Sequence, residues 1–442
     1  MSFNFGTVTR ELRAPLRRAR CATAGVIAGA IMMATGTAHA DRAITRLYEA
    51  CVGDKWPTAN DAETRALACS KALQTRSLTP AQIADARLTR GIARMSLGDK
   101  VLAADDYAEA LKHYDAIVES QSPDALNLAR RAATLAGLGD TERALADYAE
   151  AIRRDPKATL ALLGRGVLLA SRKRAYDRAI EDFDRILRLD THNVDALVAR
   201  GSALAQLGRT AGALADLNRA VSLAPNDAQA HVERGVVQAR LGEVNLAIQD
   251  FDEALKLDPR SFNALVNRAA SYSRLGRNDL AIRDLDRALR LDGFSALAYY
   301  NRGFAHFALK HYDKAIADYS IAIALDPQMG VAYNNRCLTR GILGEDLVRA
   351  LADCDTALKL MPLNLDVRST RGFIFLRLGD PRLALHEYEA VLERDPNRPL
   401  ALYGRGLARA AIGQTKEGQA DRAAALVLDP EIAEAFSKFG LK

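Results

Sequence analysis

Aromatic residues make up only 6% of this 442-residue chain, with one tryptophan and only 5 cysteines. What is missing excludes several classes of protein. No set of histidines and cysteines keeps metal-ligand spacing, so neither a metal nor a cofactor is expected. His386-Glu387 lacks a second histidine one helical turn on, which removes the zinc-protease helix. His113, His231, His306 and His311 have no acid or nucleophile at a useful offset, and no catalytic constellation emerges elsewhere. Gly164-Arg165-Gly166 and Gly404-Arg405-Gly406 look superficially like phosphate loops, but they fall mid-helix rather than after a strand. Low-complexity tracts, linkers and a second domain are absent as well. So is an excess of one charge. The formal net charge is +6, yet residues 1–40 hold five arginines against one glutamate. Taking these from 61 basic and 55 acidic residues leaves 56 and 54, a balance of +2. The basic pI therefore gives no ground for a nucleic-acid partner.

What the chain does have is alanine and leucine in a recurring frame. Asn226 to Pro259 reads as two amphipathic helices joined by a tight turn. Gly235 and Ala247 are small where the helices cross, and Gly242 marks the turn. Phe251 and Ala254 lie on the inner face of the second helix, and Asp258-Pro259 stops it. Gly201, Gly235, Ala269 and Gly303 follow one another at equal steps, a period of about 34 residues. A fixed period of this size means stacked units, each burying its apolar face only against its neighbours. A chain of this length then has no need to divide into globular domains.

Helix–turn–helix content at this period, with the small–small–Gly–Ala–aromatic–Ala–Pro pattern recurring many times, resembles the tetratricopeptide repeat. The resemblance covers residues 41–442 and implies an all-α fold, a right-handed α-solenoid of about eleven helix-turn-helix repeats plus a C-terminal capping helix. The boundaries read as a signal peptide at 1–40, a divergent amino-terminal cap repeat with Trp56 at 41–80, the array at 81–430, and the capping helix at 431–442. In the second unit the phase slips, and the next unit starts late at Ser122-Pro123. The second helix of that unit is therefore expected to run on through His113 to Glu119. The fourth unit has one extra residue in its turn and no glycine there, and the ninth has a residue inserted after Gly344. Gly418 and Arg422 are expected to weaken the second helix of the eleventh unit.

Residues 1–40 combine an arginine-rich start, a short apolar run at 22–34, and Ala38-His39-Ala40 before Asp41. This is the layout of a secretory signal peptide, and the run falls short of the about 20 apolar residues of a membrane span. Cleavage after Ala40 would release a chain with no membrane span to the periplasm. The alternative is an uncleaved inner-membrane anchor, and amino-terminal sequencing distinguishes the two.

Arg200, Arg234, Arg268 and Arg302 precede the small residue of each first helix, and Asp216, Asp250, Asp284 and Asp318 follow them at one constant offset. In the fourth and ninth units the pairs Arg165 with Asp182 and Arg336 with Asp353 stand one residue further apart, which absorbs the inserted residue. A spacing that follows the insertion implies pairs in space. They read as an interhelical salt-bridge ladder, the alternative being a charged groove for a ligand. Cys51 and Cys69, and Cys337 and Cys354, replace the same facing small and aromatic positions, which suggests two disulfides, each stapling one hairpin. The alternative is buried free thiols.

The resemblance further implies that first helices line a concave face where peptides or partner helices bind. Carried over by position, that face shows Tyr300, Phe304, Phe307, Asn334, Leu338, Phe373, Leu376 and Tyr403 in the eighth to eleventh units. The alternative is that these side chains pack between neighbouring first helices. The lysines and asparagines by which some members clamp a carboxylate tail are not found. The implied function is a non-enzymatic periplasmic scaffold or adaptor that holds a peptide or helical segment of another envelope protein in its groove. The alternative is an inner-membrane-anchored assembly or secretion accessory factor.

Overall fold

The computed structural model describes residues 45–53, 62–75, 77–120, 123–344, 346–438 and 440–441. The leader, Trp56, Ser122 and the inserted Glu345 lie outside the described residues. Residues 47–442 form one compact unit. Among the described residues there is no strand. Helices run from one over 45–52, through Ala62–Gln74, to Ile432–Lys438, and in chain order they pair as hairpins with the last one alone.

In units five to eight the first helix begins on a side-chain cap that itself recurs with the period. Asn193, Asp227, Ser261 and Ser295 each accept a hydrogen bond from a backbone N–H in the following turn, satisfying a donor the helix cannot. The second helices of these units open without a side-chain cap, straight from the turn. In that turn Gly208, Gly242 and Gly276 have φ of 73°, 85° and 72°, a region that costs glycine little. Arg174 in the fourth unit and Lys310 in the eighth take the same left-handed conformation, at φ 52° and 62°, without being glycine. Several second helices stop at an aspartate. Asp190, Asp258, Asp292 and Asp326 accept from the N–H two residues on, at 2.9–3.0 Å.

The aromatic residue of a second helix is wedged between two first helices, which accounts for the Gly-Arg-Gly segments. A Cβ at Gly164 would lie 2.4 Å from the Tyr148 ring of the preceding unit, and one at Gly166 would lie 2.5 Å from Phe183 of its own unit. Gly404 likewise clears Tyr388 of unit ten. Gly406 faces Gly418, where a Cβ would meet the Gly418 carbonyl oxygen at 2.8 Å. Here the structure departs from expectation. The second helix of unit eleven, Thr415–Leu428, is unbroken, because Gly418 lets two backbones approach.

The phase slip also has a cause. The second helix of unit two runs from Lys100 to Ser120, and its extra turns carry the buried Tyr114. The Tyr114 hydroxyl donates to Asp85 at 2.6 Å, the Tyr48 hydroxyl donates to the same carboxylate at 2.9 Å, and Arg130 pairs with it at 2.8 Å. One buried carboxylate thus ties the first three units together.

The Cys51 and Cys69 sulfurs lie at disulfide distance, with Cα atoms 4.5 Å apart, and so do Cys337 and Cys354, at 5.6 Å. Closing hairpins of this length stabilises by about 3 kcal/mol each in the chain-entropy model. Reduction is therefore expected to lower the unfolding midpoint, and alkylation without reductant should leave these four sulfurs unlabelled. Labelling of all four in the folded chain would show them to be free thiols.

Candidate binding groove

From the second unit on, each first helix touches the first helix of the next unit, whereas among the described residues no two second helices of the hairpins touch each other. The stack therefore curves with its first helices inside, and their outward faces line the concave surface.

The charge ladder forms the floor beneath that surface. Arg200 grips Asp216 with two bonds of 2.7 Å and reaches back to Asp184 of the previous unit at 2.6 Å. Arg268 does the same with Asp284 at 2.7 Å and Asp252 at 2.6 Å, and Arg302 with Asp318 and Asp286, both at 2.7 Å. Arg234 binds Asp250 at 2.6 Å and Asn218 at 3.2 Å. Each arginine so holds three helices, its own and two second helices. The backward link was missed in the sequence, although its signal is there: an acidic or amide residue stands 16 positions before each of these arginines. Asp216, Asp250, Asp284 and Asp318 are buried, so the ladder is consumed by packing.

His231 corrects the sequence reading, which gave it no acidic partner. Its Nδ1 lies 3.0 Å from Asp250 and its Nε2 lies 3.0 Å from the Pro225 carbonyl oxygen. The bond to Asp250 raises the imidazole pKa. Burial pushes the Asp250 carboxyl upward, but the bonds from Arg234 and His231 outweigh it and hold the carboxyl below its usual range. Both groups are buried and face one another.

The open stretch of the groove lies in units seven to nine. Helix Ala296–Ala308 supplies Tyr300, Asn301, Phe304 and Phe307, and helix Gly330–Leu343 supplies Asn334, Asn335 and Leu338. Asn335 Nδ2 donates to the Tyr300 hydroxyl at 3.3 Å, and the Tyr300 ring lies 5.9 Å from that of Tyr319. Burial raises the pKa of both tyrosines, so both keep their protons. Phe304 is 38% exposed. Asn301 Nδ2 and Asn334 Oδ1 are buried and have no hydrogen-bond partner. Asn267, Asn301 and Asn335 occupy the same position of three successive first helices, one repeat apart. That asparagine series too went unread in the sequence, although it follows the same period as the glycines.

At the carboxy-terminal end the structure overturns two expected groove residues. Phe373 is 4% exposed and Tyr403 is 2% exposed. Phe436 of the terminal helix Ile432–Lys438 covers both, with its ring 6.4 Å from Phe373 and 5.0 Å from Tyr403. Leu376 and Leu338 are half-buried against the same cluster. Among the described residues no cluster of His, Cys, Asp or Glu could hold a metal, and no helix is long and apolar enough to cross a membrane.

Family profiles described as "Tetratricopeptide repeat" match residues 129–194, 167–232, 228–261, 262–294, 296–329 and 371–433. Among curated proteins, the "FK506-binding protein-like" protein of Mus musculus is 43% identical over 65 residues, and its Homo sapiens counterpart is 42% identical over 65. Those 65 residues are 15% of this chain and 19% of the length of the mouse protein. Among solved structures, that of the APC/C hetero-tetramer Cut9–Hcn1 superposes with a TM-score of 0.49 at 16% identity, covering 86% of this chain and 93% of that one. A tetratricopeptide repeat protein from Parabacteroides merdae gives 0.43 at 19% identity, with 58% and 99% covered.

Proposed function

The chain belongs to the tetratricopeptide-repeat family, and from that premise we propose that it is a non-enzymatic scaffold holding an extended segment of another protein in the groove of units seven to nine. One observation carries this reading. Asn301, one turn before the half-exposed Phe304 on the same helix, carries a buried amide donor without a partner, and Asn334 on the next first helix carries a buried amide acceptor without one. Buried polar atoms are almost always hydrogen-bonded, and an unmet one costs about 1–3 kcal/mol. An extended polypeptide offers a carbonyl and an N–H at every residue and can meet both, while Phe304 and Tyr300 offer an apolar rest for one of its side chains.

The compartment in this proposal is the periplasm, and the partner is another envelope protein. Two cysteine pairs at disulfide distance suit an oxidising compartment, as does the leader read in the sequence. The anchored accessory factor differs only in retaining its leader.

The test places a photo-crosslinking p-benzoylphenylalanine at position 304 in the intact cell. A discrete adduct to a second polypeptide is expected, and Asn301→Leu in the same chain should remove most of it without loss of helicity. The comparison site is Val348, 74% exposed on the second helix of unit nine, Leu347–Leu360. If position 348 yields the same adduct, or Asn301→Leu leaves it intact, the groove is not where the partner binds.

A further inference from the structure

The terminal helix Ile432–Lys438 does more than close the stack. A cap on the last hairpin need touch only unit eleven, but Phe436 reaches past it to Phe373 of unit ten. Phe373 stands at the repeat position of the exposed Phe304, and Tyr403 at that of the half-buried Tyr300. Ile432 and Phe436, four residues apart, are 6% and 4% exposed, while Glu434 and Lys438 pair with each other on the solvent side. This is how a short amphipathic helix docks into a groove, with anchors one turn apart.

The helix is also weakly held. It is one short helix, joined to Leu428 through Asp429, Pro430 and Glu431, and it contacts only the two helices of unit eleven through its backbone. Every inner first helix is gripped from both sides, whereas this one has neighbours on one side only. A short helix with few packed neighbours opens at low cost.

We propose that the terminal helix is a resident ligand of the groove. The partner for units ten and eleven is then an amphipathic helix carrying an aliphatic and an aromatic side chain four residues apart, and it binds by displacing Ile432 and Phe436. This rests on the reading of the concave face as the binding surface, but it concerns a different stretch of that face. Its test therefore fails or succeeds apart from the adduct at position 304.

The probe is a fluorescein-labelled peptide of this chain's own residues 429–442, titrated into the full chain and into its Ile432→Ser/Phe436→Ser variant. A segment tethered by a short linker competes at an effective concentration of about millimolar. The peptide should therefore bind the variant saturably and roughly tenfold or more tighter than it binds the unaltered chain. A peptide with Phe436→Ala should not bind. Equal binding to both chains, or none to a variant that retains its helicity and melting transition, overturns the proposal. Hydrogen exchange on the unaltered chain gives a second reading that needs no variant. Amides of 433–438 should exchange well before those of Pro399–Ala411. Exchange of both segments in one cooperative step would make the helix an integral part of the fold and end the inference.

Discussion

Asp106→Ala is expected to cost about 3–5 kcal/mol of unfolding free energy, among the largest losses available to a single substitution in this chain. Asp106 is 1% exposed, and three arginines of the helix Pro80–Ser96 converge on it. Arg90 binds it twice, at 2.9 and 2.6 Å, Arg94 at 2.6 Å and Arg87 at 3.5 Å. Alanine would leave three guanidinium groups around one gap, and guanidinium cannot escape by losing its proton. The substitution Asp106→Asn keeps the shape but not the charge, so it should cost nearly as much. The contrast is Asp252→Ala. Asp252 is 42% exposed, and its partner Arg268 keeps Asp284 at 2.7 Å, so the loss should stay within about 1 kcal/mol. Urea denaturation followed by circular dichroism at fixed ionic strength reads both. Because the units are coupled only to their neighbours, the Asp106 variant should also unfold its amino-terminal units in a separate, earlier step. Equal losses in the two variants would mean that burial does not set the value of these pairs.

The features legible in the sequence are those repeated often enough to average over local variation. The constant repeat step marked out the hairpins, and the shift of Arg165–Asp182 and Arg336–Asp353 with the inserted residue identified the ladder as contacts in space. The cysteine pairs could be read because two units made the same exchange at the same facing positions. The slip in unit two announced a longer helix, though not its reason. Nothing near Asp85 in the sequence points to Tyr48, Tyr114 and Arg130, which come from three other helices. The groove was legible only in part, and the cause is physical. Repeat position says which way a side chain faces but not what lies over it. Inside the array the next unit supplies the cover, whereas at the end of the array no repeat dictates where the last segment goes. Phe373 and Tyr403 were read as open for that reason, and Phe436 buries them. His231 was misjudged for a related one. Its partner Asp250 stands on the other helix of the hairpin, far off along the chain and near only once the hairpin closes.

Tyr388→Ala should be about as damaging as Asp106→Ala, by a different route, at about 3–5 kcal/mol. Tyr388 is fully buried between two glycines. A Cβ at Gly372 of its own unit would lie 2.9 Å from its ring, and one at Gly404 of the next unit would lie 2.3 Å from it. Glycine has no side chain to move into the vacated space, and the two helices can close the gap only if units ten and eleven shift as bodies. The loss should therefore fall toward the upper end of that range. Tyr388→Phe separates volume from polarity. The Tyr388 hydroxyl is buried with no hydrogen-bond partner, and burial drives its pKa upward, so it contributes a desolvated neutral O–H. Removing that oxygen while keeping the ring should leave stability unchanged or raise it by up to about 1 kcal/mol. Gly404→Ala approaches the same contact from the other side, adding volume where none is free, and should cost about 1–3 kcal/mol. In the double variant Tyr388→Ala/Gly404→Ala the new methyl enters the space the ring has left, so the two losses should fall short of additivity, as they must if both residues compete for one volume. Strict additivity in a denaturant cycle would mean that the two residues do not compete for one volume, and a Phe variant as unstable as the Ala variant would place the contribution of Tyr388 in its hydroxyl and not in the ring between the glycines.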